Sequence, residues 1–150
     1  MRNLPLALAV LAACGYAPVR RSTGGVAVPP VRNATAQAEV AGWLQTELRS
    51  ELSTRNKLDD RGAAFEVELV NVRSYPSAMG AEGAAAWRVE AEARGRAPSF
   101  EDSAIGAADY LAGVDVPGTE ANRRAALRRL MRDLARELVE RYDVAQRMAQ

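Results

Sequence analysis

Two stretches of the chain repeat apolar residues every three or four positions, and the stretch between them alternates. Val40, Trp43, Leu44, Leu48 and Leu52 make one stripe, which predicts a helix from about Ala36 to Arg55. Leu127, Leu130, Met131, Leu134, Leu138 and Tyr142 make a second stripe on a C-terminal helix opened by Pro117-Gly118-Thr119. Between the helices, Phe65, Val67 and Leu69 alternate with Glu66 and Glu68. The phase then slips at Leu69-Val70, where a bulge or burial on both sides fits. Trp87, Val89, Ala91 and Ala93 take one face of a further strand; Arg88, Glu90, Glu92, Arg94 and Arg96 take the other. A last strand is expected from Phe100 to about Ala108. Val26-Ala27-Val28 is a short first strand ended by Pro29-Pro30.

The connections carry their own signals. Asn33 or Thr35 is expected to cap the first helix, and Thr119 the second. Tyr75 to Gly83, with Pro76 and Gly80 inside it and Met79 at its apolar tip, reads as a long hairpin loop. Glu137 with Arg141 and Asp143 with Arg147 have the spacing of helix-supporting ion pairs. Arg124, Arg128, Arg132 and Arg136 repeat every four residues and read as a solvated face. The order is strand, helix, three strands, helix (β-α-β-β-β-α). A crossover through the first helix makes the sheet mixed, giving an α+β two-layer sandwich: a four-stranded mixed sheet with two helices on one face.

The N-terminus stands apart from this pattern. A basic start at Arg2 leads into the apolar run Leu4 to Ala13, too short to span a bilayer as a helix, and the run ends in Leu11-Ala12-Ala13-Cys14. That string matches a bacterial lipobox, so residues 1–13 are expected to be a lipoprotein signal peptide and Cys14 the lipidated residue. Acyl chains contribute about 0.8 kcal/mol per buried methylene, so two or three on one residue hold a protein to a membrane without a spanning helix. Residues 14–25, with Pro18 and Gly24-Gly25, form a tether, and 26–150 the domain. Gly15 follows the cysteine in place of an aspartate, which favours an outer-membrane destination on the periplasmic side.

Composition narrows the chemistry. The chain has no histidine, which removes His-based triads and zinc-His sites, and its one cysteine cannot form a metal cluster alone. Lys57 is the only lysine among 20 basic residues. Cleavage before Cys14 removes Arg2 and leaves 19 basic against 19 acidic residues, so no basic field invites nucleic acid. There is no Gly-x-Ser-x-Gly elbow and no phosphate-cradling Gly-Lys loop. Paired carboxylates at Asp59-Asp60 and Glu101-Asp102 sit in expected turns, where solvation is their ordinary role. The reading is a protein that is not an enzyme and needs no cofactor or metal.

Several motifs in order resemble one family. They are Cys14-Gly15-Tyr16, then Val26-Ala27-Val28-Pro29-Pro30-Val31-Arg32-Asn33 before the first helix, and Asp109-Tyr110-Leu111-Ala112 at the end of the sheet. The longest is Thr119-Glu120-Ala121-Asn122-Arg123-Arg124-Ala125-Ala126-Leu127-Arg128-Arg129-Leu130. Together they resemble the LptE family of lipopolysaccharide-assembly lipoproteins across essentially the whole mature chain. The resemblance implies a plug inside the β-barrel of an LptD partner, a role in assembling that barrel, and lipopolysaccharide as ligand. It also implies a four-stranded sheet with two helices on one side, in agreement with the pattern above.

Lipopolysaccharide phosphates call for cations that bind bidentately, which selects arginine. Arg88, Arg94 and Arg96 share the polar face of one strand with Arg73 beside them, and these four are the candidate ligand residues. Tyr75, Pro76 and Met79 are the candidate partner contacts. Two other readings stand beside this one. A periplasm-facing lipoprotein resembling the penicillin-binding-protein-activator or CsgG-like families would bind a cell-wall synthase or secretion partner. An envelope hydrolase would work through Glu101 or Asp102.

Overall fold

The computed structural model describes residues 25–81 and 83–149. The signal peptide, Cys14 and all of the tether except Gly25 lie outside the described residues. The elements are β1 (Val26–Ala27), β2 (Arg32–Asn33), α1 (Ala38–Thr54), β3 (Ala63–Ala64), β4 (Glu66–Gly80), β5 (Gly83–Ala97), β6 (Phe100–Leu111) and α2 (Val116–Met148). Four strands form one sheet in the order β2-β4-β5-β6. There β2 runs parallel to β4, and β4-β5 and β5-β6 are antiparallel. The expected fold class holds: a two-layer α+β sandwich with a mixed sheet and both helices on one face.

The first strand is split. Val26 pairs with Ala63 and Arg32 with Glu68, so the first course advances six residues while its neighbour advances five. Pro29 and Pro30 stand in the gap, unable to donate to a ladder, and the strand survives only as β1 and β2 on either side.

Helix α1 starts at Ala38, and its N-cap residue Gln37 makes no side-chain cap. The expected caps act one turn earlier. Asn33 Oδ1 accepts from the Thr35 N–H at 2.9 Å and from its hydroxyl at 2.8 Å, and Thr35 Oγ1 accepts from the Gln37 N–H at 3.2 Å. These bonds fold the turn out of β2 and leave the helix end uncapped. The other end closes with a Schellman motif: Asn56 at φ 56° donates to Ser53 O at 3.0 Å, and Lys57 donates to Leu52 O at 2.8 Å. In α2 the cap is Asp115, whose Oδ1 accepts from Gly118 N–H at 2.7 Å. Thr119 lies inside the helix and bonds back to Asp115 O at 3.0 Å.

Tyr75 to Gly80, expected in a loop, is strand, and Gly83 opens the next one. Pairing continues through Tyr75↔Arg88, Pro76↔Trp87 and Ala78↔Ala86 to Gly80↔Gly83. The proline and glycines mark irregularities in a long ribbon, with register shifts between Pro76 and Ala78 and between Ala78 and Met79. Above Leu69 no described strand pairs with the outer edge of β4, and an edge tolerates proline. The phase slip read at Leu69-Val70 is a register shift between Leu69 and Asn71.

The core lies between sheet and helices. Val67, Leu69, Val89, Ala91, Ala93 and Ala104 from the inner sheet face meet Leu44, Leu48, Leu52, Leu127, Leu130, Leu134 and Leu138, all buried. Each fully buried leucine contributes about 1.5–3 kcal/mol relative to exposure. Small residues on β5 and β6 let α2 come close: a Cβ at Gly106 would lie 2.7 Å from Leu130 Cδ1. At the end of the sheet near the β5–β6 turn, Phe65, Phe100 and Tyr142 cluster with ring centroids 5.2–5.8 Å apart. At the opposite end Trp87 stacks on Tyr110 at 6.5 Å. Side chains of α2 also reach the free edge of β6, where Arg141 donates to Ser103 O at 3.0 Å and Asn122 to Leu111 O at 3.0 Å. That occupies edge carbonyls which would otherwise invite another strand.

Candidate functional site

The strand registers define the outer sheet face row by row. Glu66–Arg96–Glu101 and Glu68–Arg94–Ser103 cross the end near the β5–β6 turn. Asn71–Glu92–Ile105, Arg73–Glu90–Ala107 and Tyr75–Arg88–Asp109 follow, and Ala78–Ala86–Leu111 closes the series. Charge alternates across the Glu66–Arg96–Glu101 row and Glu68 faces Arg94 in the next, and the upper end turns apolar, with Met79 and Leu111 exposed.

Three of the four candidate arginines are engaged by carboxylates on the neighbouring strand. Arg73 donates through Nε and Nη2 to Glu90 Oε2 at 2.9 and 2.7 Å. Arg88 holds Asp109 bidentately at 2.8 and 3.0 Å, and Arg96 donates to Glu101 at 2.7 Å. Tyr75 donates its hydroxyl to Glu90 as well. The hydrogen bonds from Tyr75 and Arg73 hold the Glu90 carboxyl below the usual carboxylate range; Arg88 does the same for Asp109 and Arg96 for Glu101. Arg94 differs. Among the described residues it has no ion pair, and it lines a shallow pocket with Arg32, Glu66, Glu68 and Arg96.

The carboxylate pair Glu101-Asp102 lies on β6 and not in a turn. Asp102 accepts from Arg141 at 3.0 Å and from the Ser103 N–H at 2.8 Å, which lowers its pKa. Both acids therefore serve as ionised acceptors, the opposite of what a general acid needs. No cluster of three potential metal-ligating acids, cysteines or histidines occurs among the described residues.

The arginine row of α2 is not simply solvated. Arg124 reaches Glu39 at 3.1 Å, Arg132 reaches Glu47 at 3.5 Å and Arg136 reaches Glu51 at 3.7 Å. Arg128 lies over the Trp43 ring, 5.0 Å from its centroid. Both rows ascend together, so the two helices run parallel as a charged seam. At its lower end Asp143, expected to pair with Arg147, is instead buried and bonded to Lys57 and, at 3.1 Å, to Arg55. Burial alone would lower the pKa of Arg55; its bonds to Asp143 and Glu140 outweigh that and raise it. The Schellman turn delivers Arg55 and Lys57 to this carboxylate. The expected Glu137–Arg141 pair forms at 2.5 Å.

The family model LptE, described as lipopolysaccharide-assembly, matches residues 23–142. The chain belongs to the LptE family. The LptE fold is shared with solved structures at low identity. Rare lipoprotein B from Shewanella oneidensis is 11% identical with a TM-score of 0.56, over 80% of this chain and 96% of that one. A minor lipoprotein from Acinetobacter baumannii is 11% identical with a TM-score of 0.55, over 81% and 94%. No curated protein matches the chain. No helix among the described residues of this LptE chain is long and apolar enough to cross a membrane.

Within the LptE domain, the structure brings Arg94 and Arg96 together and adds Arg32, which sequence reading missed. The signal was available in part: once the first strand pairs parallel with Phe65 to Leu69, Arg32 falls opposite Glu68 and two strands from Arg94. Arg73 and Arg88 lie farther along the same face. Tyr75 joins the Glu90 network, and Pro76 and Met79 lie higher on the exposed ribbon.

Proposed function

We propose that this LptE-family chain is an outer-membrane lipoprotein, anchored through Cys14 with its domain on the periplasmic side. It seats in the β-barrel of an LptD-like partner, helps that barrel assemble, and assists lipopolysaccharide on its way to the outer leaflet. Its work is binding and positioning, without catalysis or a cofactor. The family match over residues 23–142 carries the reading. Two features of the domain support it. The β4 strand above Tyr75 is exposed and presents Pro76 and Met79 to a surrounding wall. On the sheet, Arg94, backed by Arg96 and Arg32, offers a guanidinium without its own carboxylate, while Arg73 and Arg88 would have to exchange theirs for a phosphate.

The deciding experiment is a mild-detergent pull-down of tagged, acylated protein from outer membranes, with stoichiometry read from the co-purifying species. A large β-barrel at one-to-one ratio is the expected result. A cell-wall synthase in its place, or no barrel, overturns the reading. Reversing Arg94 and Arg96 to Glu together tests the ligand face: lipopolysaccharide binding should weaken, and unchanged binding by the folded variant removes the patch.

A further inference from the structure

At the lower end of the domain a groove of about 440 Å³ opens between the last turns of α2 and the start of β6. Its apolar lining is Phe100, Val144, Ala145 and Met148. Val144 is 54% exposed and Met148 83%, although a helix in a two-layer domain ordinarily turns such residues inward. Glu101 and Glu140 stand on the rim, while Arg141 beside them is taken up by Asp102 and Glu137. Glu101 holds Arg96 and Glu140 holds Arg55 through one oxygen each, which leaves the second oxygen of both able to accept from another donor.

The chain enters the domain at this same end. Val26 donates to Lys57 O at 2.8 Å, and Lys57 pairs with Asp143, the residue before Val144. Residues 14–24, which lie outside the described residues, lead up to that entry. Beyond Cys14 they hold one apolar stretch, Tyr16-Ala17-Pro18-Val19, in a sequence otherwise made of glycine, serine, threonine and arginine. Arg20 and Arg21 follow it at once, and no acid occurs from Cys14 to Ala38. Val19 is six residues before Gly25, a reach of about 20 Å against a helix width of about 10 Å. An apolar floor with a carboxylate rim thus lies within reach of an apolar stretch followed by two arginines.

We propose that residues 16–21 of this chain dock in the groove, with Tyr16 and Val19 covering Val144 and Met148 and the arginines meeting Glu101 and Glu140. Removing Val144 and Met148 from water favours the contact. Pro18 has one backbone angle already fixed, which lowers the entropy cost of holding the segment in place. Because the segment belongs to the same chain, it meets the groove at a high effective concentration. Docked in this way, it holds the lower end of the domain beside residue 14. That the lower end is thereby held close to lipid rests on the Cys14 anchor; the docking itself does not.

Two methionines make the test internal. Met148 in the groove and Met79 at the opposite end of the sheet are 83% and 73% exposed on the domain, so an uncovered groove would let hydrogen peroxide oxidise both at similar rates. In the intact protein at low concentration, mass spectrometry should find Met148 oxidised at least about fivefold more slowly than Met79. Tyr16→Ser with Val19→Ser, changes outside the packed core, should bring the two rates together. Equal rates in the unaltered protein would overturn the docking. So would slow Met148 oxidation that persists in the double variant; protection that then grows with protein concentration would assign the groove to a second copy of the chain. Acylation of Cys14 is read from the N-terminal peptide of the same digest, which tells a failure of the anchor from a failure of the docking.

Discussion

On the outer face of the sheet Arg73, Arg88 and Arg96 each meet a carboxylate across the strand. On the outer face of α2, Arg128 and Arg129 meet an indole ring and a backbone carbonyl. The difference follows from geometry. A strand has neighbours on both sides within 5 Å, so an alternating pattern of opposite charges closes on itself. A helix in a two-layer domain has a second helix on one flank only, and an arginine turned away from it finds no acid unless its own helix supplies one. Between Arg123 and Arg132, α2 supplies none. Arginine number therefore says little about which surface is open to an anion; what matters is which guanidinium groups are already held.

The largest expected effect lies at the foot of the seam that positions the α2 row. Asp143→Ala leaves Arg55 and Lys57 without their shared buried carboxylate and should cost about 3 kcal/mol in urea unfolding. A loss below about 1 kcal/mol would mean that apolar packing alone seats α2. Next, Glu47→Lys with Glu51→Lys places like charges opposite Arg132 and Arg136 and should cost about 1 kcal/mol by the same measurement. If stability is unchanged, the seam is decoration on the leucine stripe.

Acid separates the two faces. Glu90, Glu101 and Asp109 are more acidic folded than unfolded, so the stability they add is complete above the ordinary carboxyl value and is lost as pH falls through the lowered ones. Thermal midpoints should therefore decline from about pH 4.5 downward, and the decline should be shallower in Arg73→Ala/Arg88→Ala/Arg96→Ala. Identical slopes would show that these pairs do not govern acid loss. The smallest effect is expected for Arg88→Ala at neutral pH: both partners are exposed, and calorimetry should find the midpoint lowered only slightly.

Much of the fold was readable in the chain because its periodicities are strong. The leucine stripes of both helices, the alternation of Trp87 to Arg96 and the slip at Leu69 all appear in the structure. What was hidden depended on neighbours distant in sequence. Glu39, Glu47 and Glu51 repeat with Trp43 every four residues, as do Arg124, Arg128, Arg132 and Arg136, yet only a parallel alignment of the helices joins them. Asp143 looked like half of a local pair with Arg147 until the turn after α1 brought Lys57 to it. Pro76 and Gly80 suggested a loop because turn residues carry the same signal at an irregular edge. The four candidate arginines share the outer sheet face as expected, but which of them are held by carboxylates needed the cross-strand register.

The constant offset of the seam, 85 residues between Glu39 and Arg124 and again between Arg55 and Glu140, bears on how the molecule is made. Contacts this remote in sequence close last and slow folding. During synthesis Leu44, Leu48 and Leu52 emerge long before α2, the last 33-residue helix, exists to cover them. A chain that must also cross a membrane before folding would carry that bare leucine stripe throughout its transit, and would rely on a carrier to keep it from aggregating.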